Sequence, residues 1–234
     1  MHDRSSLLLA KNTLLNLSGQ VLLSLIGIAS LPWLVRALNP EAFGILSLAW
    51  MLLAYSNMFD LGIGQATVRS LAFCFESKDE NEFRQLVWTS AALQGAIGVA
   101  AVVLLAPFVP YAVTHWFKIS ARSARQAELS LLALTACLPV LLLGNALRSV
   151  LQAAQRFDII NAVRIPTSGL MFVVAAVTAS LSASVATVVL SSIVVRCFAT
   201  IVFAIVCIRL FPSLRRASVS LPHCGSCHEL FYAA

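Results

Sequence analysis

The sequence predicts an all-α membrane protein built as a bundle of six transmembrane helices. Three observations predict it. Of the 234 residues, 59% are hydrophobic and only 11% charged, against about 25% charged in soluble domains. The mean hydropathy is +0.88, and a water-soluble globule has too little polar surface to cover so large an apolar share. The apolar residues also gather into runs of the roughly 20 residues that a bilayer-crossing helix needs.

Six such runs cover residues 13–35, 43–59, 86–113, 129–151, 165–181 and 185–208. They leave 1–12 as a cytoplasmic amino terminus and 211–234 as a cytoplasmic, disordered tail. The last two runs form one apolar stretch twice the length of a span, and Ser180, Ser182 and Ser184 at its middle predict a helical hairpin. With the amino terminus inside, eleven Lys and Arg fall on the cytoplasmic side and four on the outer side, with Arg196 mid-span. That excess predicts both termini in the cytoplasm of a multi-pass plasma (inner) membrane protein. No cleavable signal peptide is expected, because the first apolar run is too long for one and continues into Arg36 and Asn39.

Start signals punctuate the runs. Asn39-Pro40-Glu41 offers an N-cap, a proline at the first helical position and an acid in the first turn. Ser77-Lys78-Asp79-Glu80 has capping-box spacing, so residues 81–88 are expected to form an interfacial helix entering the third span. Ala92, Ala96 and Ala100, with Gly95 and Gly98 nearby, read as a small-residue ridge that lets helix backbones approach closely.

Polar groups inside spans are costly and mark partners or wet cavities. Asn12, Asn16, Gln20 and Ser24 share one face of the first span. They read either as a lumen stripe or as interhelical hydrogen bonding. Asn145, Arg148, Gln152 and Gln155 share a face of the fourth span, where Arg148 either neutralises an anion or snorkels to the interface. Ser192, Arg196 and Thr200 share a face of the sixth. Arg196 lies too deep to snorkel, so it must meet a carboxylate, carbonyls or water. Asp60, ahead of Gly62 and Gly64, reads as a coupling carboxylate or as a helix cap.

Other chemistry is weak. Four of the six cysteines sit in or beside apolar runs, where they act as small hydrophobes. His223-Cys224-Gly225-Ser226-Cys227-His228 has haem-attachment spacing but falls in a tail expected to be cytoplasmic and without a supporting fold, so neither haem nor a metal is expected. No catalytic constellation stands out among four histidines and few intramembrane carboxylates, so the protein is not expected to be an enzyme. The net charge of +6 reports topology and anionic headgroups rather than nucleic acid.

The segment from Ala10 to Leu71 carries "LPWLVRALNPEAFGILSLA" and "FDLGIGQATVRSLA", and "LQAAQRFDIINAVRI" follows later. These resemble the amino-terminal half of the oligosaccharide flippases of O-antigen and related polysaccharides. Those flippases belong to the multidrug/oligosaccharidyl-lipid/polysaccharide exporter (MOP) superfamily. The resemblance implies one half of a MATE-like transporter fold that flips a polyprenyl-diphosphate-linked oligosaccharide for O-antigen, capsule or exopolysaccharide. It implies a basic lumen mapped by position onto Arg36, Arg148, Arg164 and Arg196, beside Asn16 and Gln20. Arginine's planar donors suit a diphosphate entering a low-dielectric cavity. Members usually have twelve or more spans, so the chain reads as a truncated or frame-shifted half, or as one that assembles with a second copy. Besides the lipid-linked substrate and membrane lipids, a homodimer or a polysaccharide assembly complex are the partners expected. The alternatives are a non-transporting scaffold subunit, an inactive remnant, or half of a multidrug antiporter.

Overall fold

In hydrocarbon every backbone N–H and C=O must be satisfied within its own segment, and a helix does this. The computed structural model describes residues 2–55, 62–77, 79–115, 121–182 and 184–215, with side chains of the first helix described from Gly19 onward save that of Leu22. Among the described residues every regular element is helical. In order these are α1 (His2–Ala37), α2 (Pro40–Tyr55), α3 (Ile63–Ser77), α4 (Glu80–Leu105) and α5 (Phe108–His115). They are followed by α6 (Ala121–Ala153), α7 (Phe157–Ser182), α8 (Val185–Leu210) and a 3₁₀ turn at Pro212–Arg215.

Gly19–Ala37, Glu80–Leu105, Ser123–Ala153, Phe157–Ser182 and Val185–Leu210 are long and apolar enough to cross a membrane. The 26 residues of α4, α7 and α8 rise about 39 Å each, against a hydrocarbon core of about 30 Å. α2 is a shorter apolar helix of 16 residues.

Local chemistry sets the ends. Asn39 Oδ1 accepts the Ala42 amide at 2.7 Å, so α2 starts where the cap and Pro40 place it. At α4 the cap is Asp79, whose carboxylate accepts the Asn81 and Glu82 amides at 2.9 and 3.1 Å. The backbone of Ser77 closes α3, a helix the sequence does not announce, and its side chain lies outside the described ones. Residues 81–88 are the first turns of α4 and run without a break into its apolar part. α6 ends in a Schellman motif: the Arg156 amide bonds Leu151 O and the Gln155 amide bonds Gln152 O, both at 2.9 Å. Gln155 therefore takes a left-handed φ of 55° and leaves the helix face that carries Asn145 and Arg148. The α7–α8 hairpin turns between Ser182 and Val185.

α6 is the central helix, packed against α2, α3, α4, α5, α7 and α8, while α1 lies against α7 and touches α2. Two apolar clusters fill the bundle. One joins α2 (Ile45, Leu46, Ala49), the first half of α6 (Leu131, Leu134, Leu138) and the α7–α8 hairpin (Ala179, Val185, Val188). The other joins α3 (Leu71), the start of α4 (Phe83, Leu86), the end of α6 (Val150, Leu151) and the end of α8 (Phe203, Cys207). Between them α6 and α8 carry Gly144, Asn145, Arg148, Arg196 and Thr200.

The close approach of α4 to α6 is made by Gly98 and not by the expected alanine ridge. Ala92, Ala96 and Ala100 face outward, whereas Gly98 is buried. A Cβ at Gly98 would stand 2.5 Å from Pro139 Cα. The four-residue spacing of the alanines marks a helix face without saying which face is covered.

Gly98→Ala should therefore force α4 from α6 and cost about 1–3 kcal/mol, lowering the thermal midpoint of the purified protein by several degrees. Gly44→Ala, where a Cβ meets nothing within 4 Å, should leave it unchanged or slightly raised. Equal midpoints for the two variants would sink this account of the α4–α6 contact.

Candidate functional site

The polar layer between the two clusters encloses a hollow of about 130 Å³. Its walls are Leu53 and Ala54 from α2, Leu141, Gly144, Asn145 and Arg148 from α6, and Arg196, Ala199, Thr200 and Phe203 from α8. Residues 141, 145 and 148 of α6 share one helix face, as do 196, 199, 200 and 203 of α8, and α2 closes the side. α6 and α8 can approach here because Gly144 lacks a side chain: a Cβ there would stand 2.8 Å from Thr200 Oγ1.

Arg148 and Arg196 are both half-buried and lie within each other's field. Arg148 Nη2 donates to Asn145 Oδ1 at 3.2 Å. The other end of that amide, Asn145 Nδ2, is buried with no hydrogen-bond partner among the described residues. Thr200 Oγ1 turns back to Arg196 O at 3.2 Å. An unsatisfied buried amide costs about 1–3 kcal/mol, and two like charges repel in a low-dielectric hollow. An acceptor-rich anion relieves both.

One turn before Arg196, Ser192 plays a different part. It is fully buried, and Trp50 Nε1 donates to its hydroxyl at 3.5 Å. Trp50 also meets Phe172 edge-to-face, with centroids 5.2 Å apart. The α2 tryptophan thus ties α2 to α8 and α7 beside the hollow.

The four arginines assigned by position do not converge. Arg148 and Arg196 share the hollow, while neither Arg164 nor Arg36 lines it. Arg164 is exposed on α7 and donates from Nη2 to Gln20 Oε1 of α1 at 3.4 Å. Arg36 is exposed in the last turn of α1, sixteen residues and therefore about 24 Å along the helix from Gln20. The side chain of Asn16, like Asp60 and the Cys224/Cys227 segment, lies outside the described residues. The stripe on α1 also dissolves in part, since Ser24 Oγ bonds its own helix at Gln20 O, 3.0 Å away.

Gln94 is a polar residue the spacing arguments miss. It is fully buried on α4, and neither its amide oxygen nor its nitrogen has a partner among the described residues. Near it in sequence, the Ser90 hydroxyl lies 2.8 Å from that of Thr67 on α3. A lone glutamine beside Gly95 in an otherwise apolar run is the signal that could have found it.

Residues 9–223 match the family described as "Polysaccharide biosynthesis protein". The chain belongs to that family. A curated relative, the "Putative O-antigen transporter" of Shigella flexneri, is 27% identical over 188 residues, 79% of this chain and 44% of its own length. Among solved structures, a MOP superfamily transporter from Pyrococcus furiosus superposes with a TM-score of 0.67 at 16% identity, over 94% of this chain and 48% of its own. The chain thus spans less than half the length of either relative. It is a multi-pass membrane protein with the helical fold of MOP superfamily transporters. Within this polysaccharide biosynthesis family member, the dibasic hollow between α2, α6 and α8 is the candidate site.

Asn145→Asp would set a carboxylate beside Arg148 and Arg196. It should stabilise the empty protein by about 1.5–3 kcal/mol, the worth of a hydrogen bond to a charged group, and weaken binding of inorganic diphosphate at least about tenfold. Calorimetry on the purified protein reads both. An unchanged diphosphate affinity would separate the two arginines from any anion site.

Proposed function

We propose that this chain takes part in moving an anionic, lipid-linked oligosaccharide across the inner membrane during cell-surface polysaccharide synthesis. Arg148 and Arg196 grip the diphosphate in this reading. The observation that carries it is the shared hollow: two guanidinium groups, one from the middle of α8 and one from near the end of α6, within each other's field. Keeping an arginine at that depth costs at least ~2.5 kcal/mol on insertion scales. Among the described residues, the charged group acting on Arg196 is Arg148. A diphosphate supplies two negative groups and many acceptors, and guanidinium pairs with it bidentately.

Arg164 with Gln20, at the α1–α7 seam, is a second polar station on the same route, and Arg36 a third at the opposite end of α1. Both termini lie in the cytoplasm. Transport by exposing the hollow first to one side and then to the other needs an opposing wall. In this reading a second lobe supplies it, and a second copy of the chain is one source. Membership of a polysaccharide biosynthesis family and likeness to a protein named for O-antigen transport support the substrate class.

The test is surface polysaccharide in cells that depend on this protein. Arg196→Gln and Arg148→Gln should each lower it at least about tenfold at equal protein level. Lysine at either place should restore part of it, since it keeps charge and loses the planar fork. Undiminished polymer in both glutamine variants would turn the reading toward a scaffold.

A further inference from the structure

A second hollow adjoins the dibasic one. It measures about 300 Å³ and lies between α2, α5 and α6. Leu53 and Leu141 line both, so the two spaces share a wall. The second is apolar. Its one hydroxyl, on Thr135, is spent on Leu131 O of its own helix at 2.8 Å. Water has little to bind there, and a hollow so lined stays dry.

One face of α6 runs the length of both hollows. Leu131, Leu134, Leu138, Leu141, Asn145 and Arg148 follow at steps of three and four residues. From Leu131 to Leu141 the face is hydrocarbon for about 15 Å, and within the next seven residues it becomes amide and guanidinium. Leu52, Leu105 and Phe108, which line the apolar hollow, are also exposed, so that hollow opens to the surface of the described bundle. From that surface a chain can enter it without crossing the polar layer.

We propose that the α2–α5–α6 hollow holds the first isoprenyl units of the lipid whose diphosphate lies on Arg148 and Arg196. This rests on the reading of those two arginines as the diphosphate grip. The protein then recognises the junction of its substrate, a charged head joined to hydrocarbon, and not the head alone. Leu53 and Leu141 stand at that junction. The hydrocarbon adds affinity through burial, and a free sugar diphosphate lacks it.

The purified full chain in nanodiscs tests this with three probes: farnesyl diphosphate, farnesol and inorganic diphosphate. Farnesyl diphosphate should bind at least about tenfold more tightly than inorganic diphosphate. Leu134→Trp, which fills the hollow, should bring the two affinities together and leave that of inorganic diphosphate unchanged. Arg196→Gln should weaken both diphosphates alike. A preference for farnesyl diphosphate that survives Leu134→Trp overturns the isoprenyl site while leaving the arginine grip standing. If Arg196→Gln has no effect on either diphosphate, the grip itself fails and the proposal falls with it.

The unaltered chain provides a check that does not depend on a variant folding. A farnesyl diphosphate with a diazirine at its far end should label α5 and the Leu131–Leu138 part of α6, and unlabelled farnesyl diphosphate should displace it. Equal displacement by farnesol, or labelling confined to other helices, marks the hollow as a groove for bilayer lipid and overturns the proposal.

Discussion

Everything in this bundle answers to one electrostatic constraint: two guanidinium groups are held in a single small hollow between layers of hydrocarbon. Charge at that depth is tolerated only beside water, a partner or a ligand. The apolar clusters on either side of the polar layer keep the helices together without help from it. One joins α2, the first half of α6 and the α7–α8 hairpin; the other joins α3, α4 and the ends of α6 and α8. Stability is therefore carried by leucine, valine and phenylalanine. In the polar layer Asn145 Nδ2 is buried with no hydrogen-bond partner among the described residues.

The placement of α6 follows from the same constraint. Meeting six other described helices, it joins both clusters, as α8 does, and presents Asn145 and Arg148 between them. Two small residues make the approach possible. Gly98 lets α4 close on α6 at Pro139, and Gly144 lets α8 close on α6 at Thr200. The first contact fixes the back of α6, and the second sets its front against the helix that carries Arg196.

Much of this was legible in the sequence because burial depth and helix period are written there directly. The Asn39 cap, the serine-marked hairpin and the mid-helix place of Arg196 each depend on neighbours within a few residues, whereas the break between α4 and α5 inside the expected 86–113 run does not show in its hydropathy. What was hidden depends on which face a distant helix covers. Ala92, Ala96 and Ala100 have the spacing of an interface and face outward, while Gly98, one step off their line, is buried. Arg36 and Arg164 look like companions of Arg148 by charge and by resemblance. The length of α1 and the turn of α7 toward Gln20 separate them. Ser77 matches a capping box, but α3 ends on it, and Asp79 takes the role. The existence of α3 has no apolar run to announce it, since Gln65, Thr67 and Arg69 interrupt its pattern.

The least legible feature is also the one most closely tied to an amphiphilic substrate. Amphipathicity is usually sought around a helix, as an apolar face opposite a polar one. On α6 the contrast runs along the axis: a single face is leucine from Leu131 to Leu141 and then asparagine and arginine. Averaged around the helix, that change vanishes, and the segment reads as one more apolar span ending in polar residues. A surface graded along its length matches a molecule graded along its length. Rotating Asn145 and Arg148 by half a turn would carry them out of the hollow and onto the places of Leu147 and Val150, which build the second apolar cluster. The face they occupy is therefore the one that packing leaves open beside the hollow, in line with the leucines that wall it.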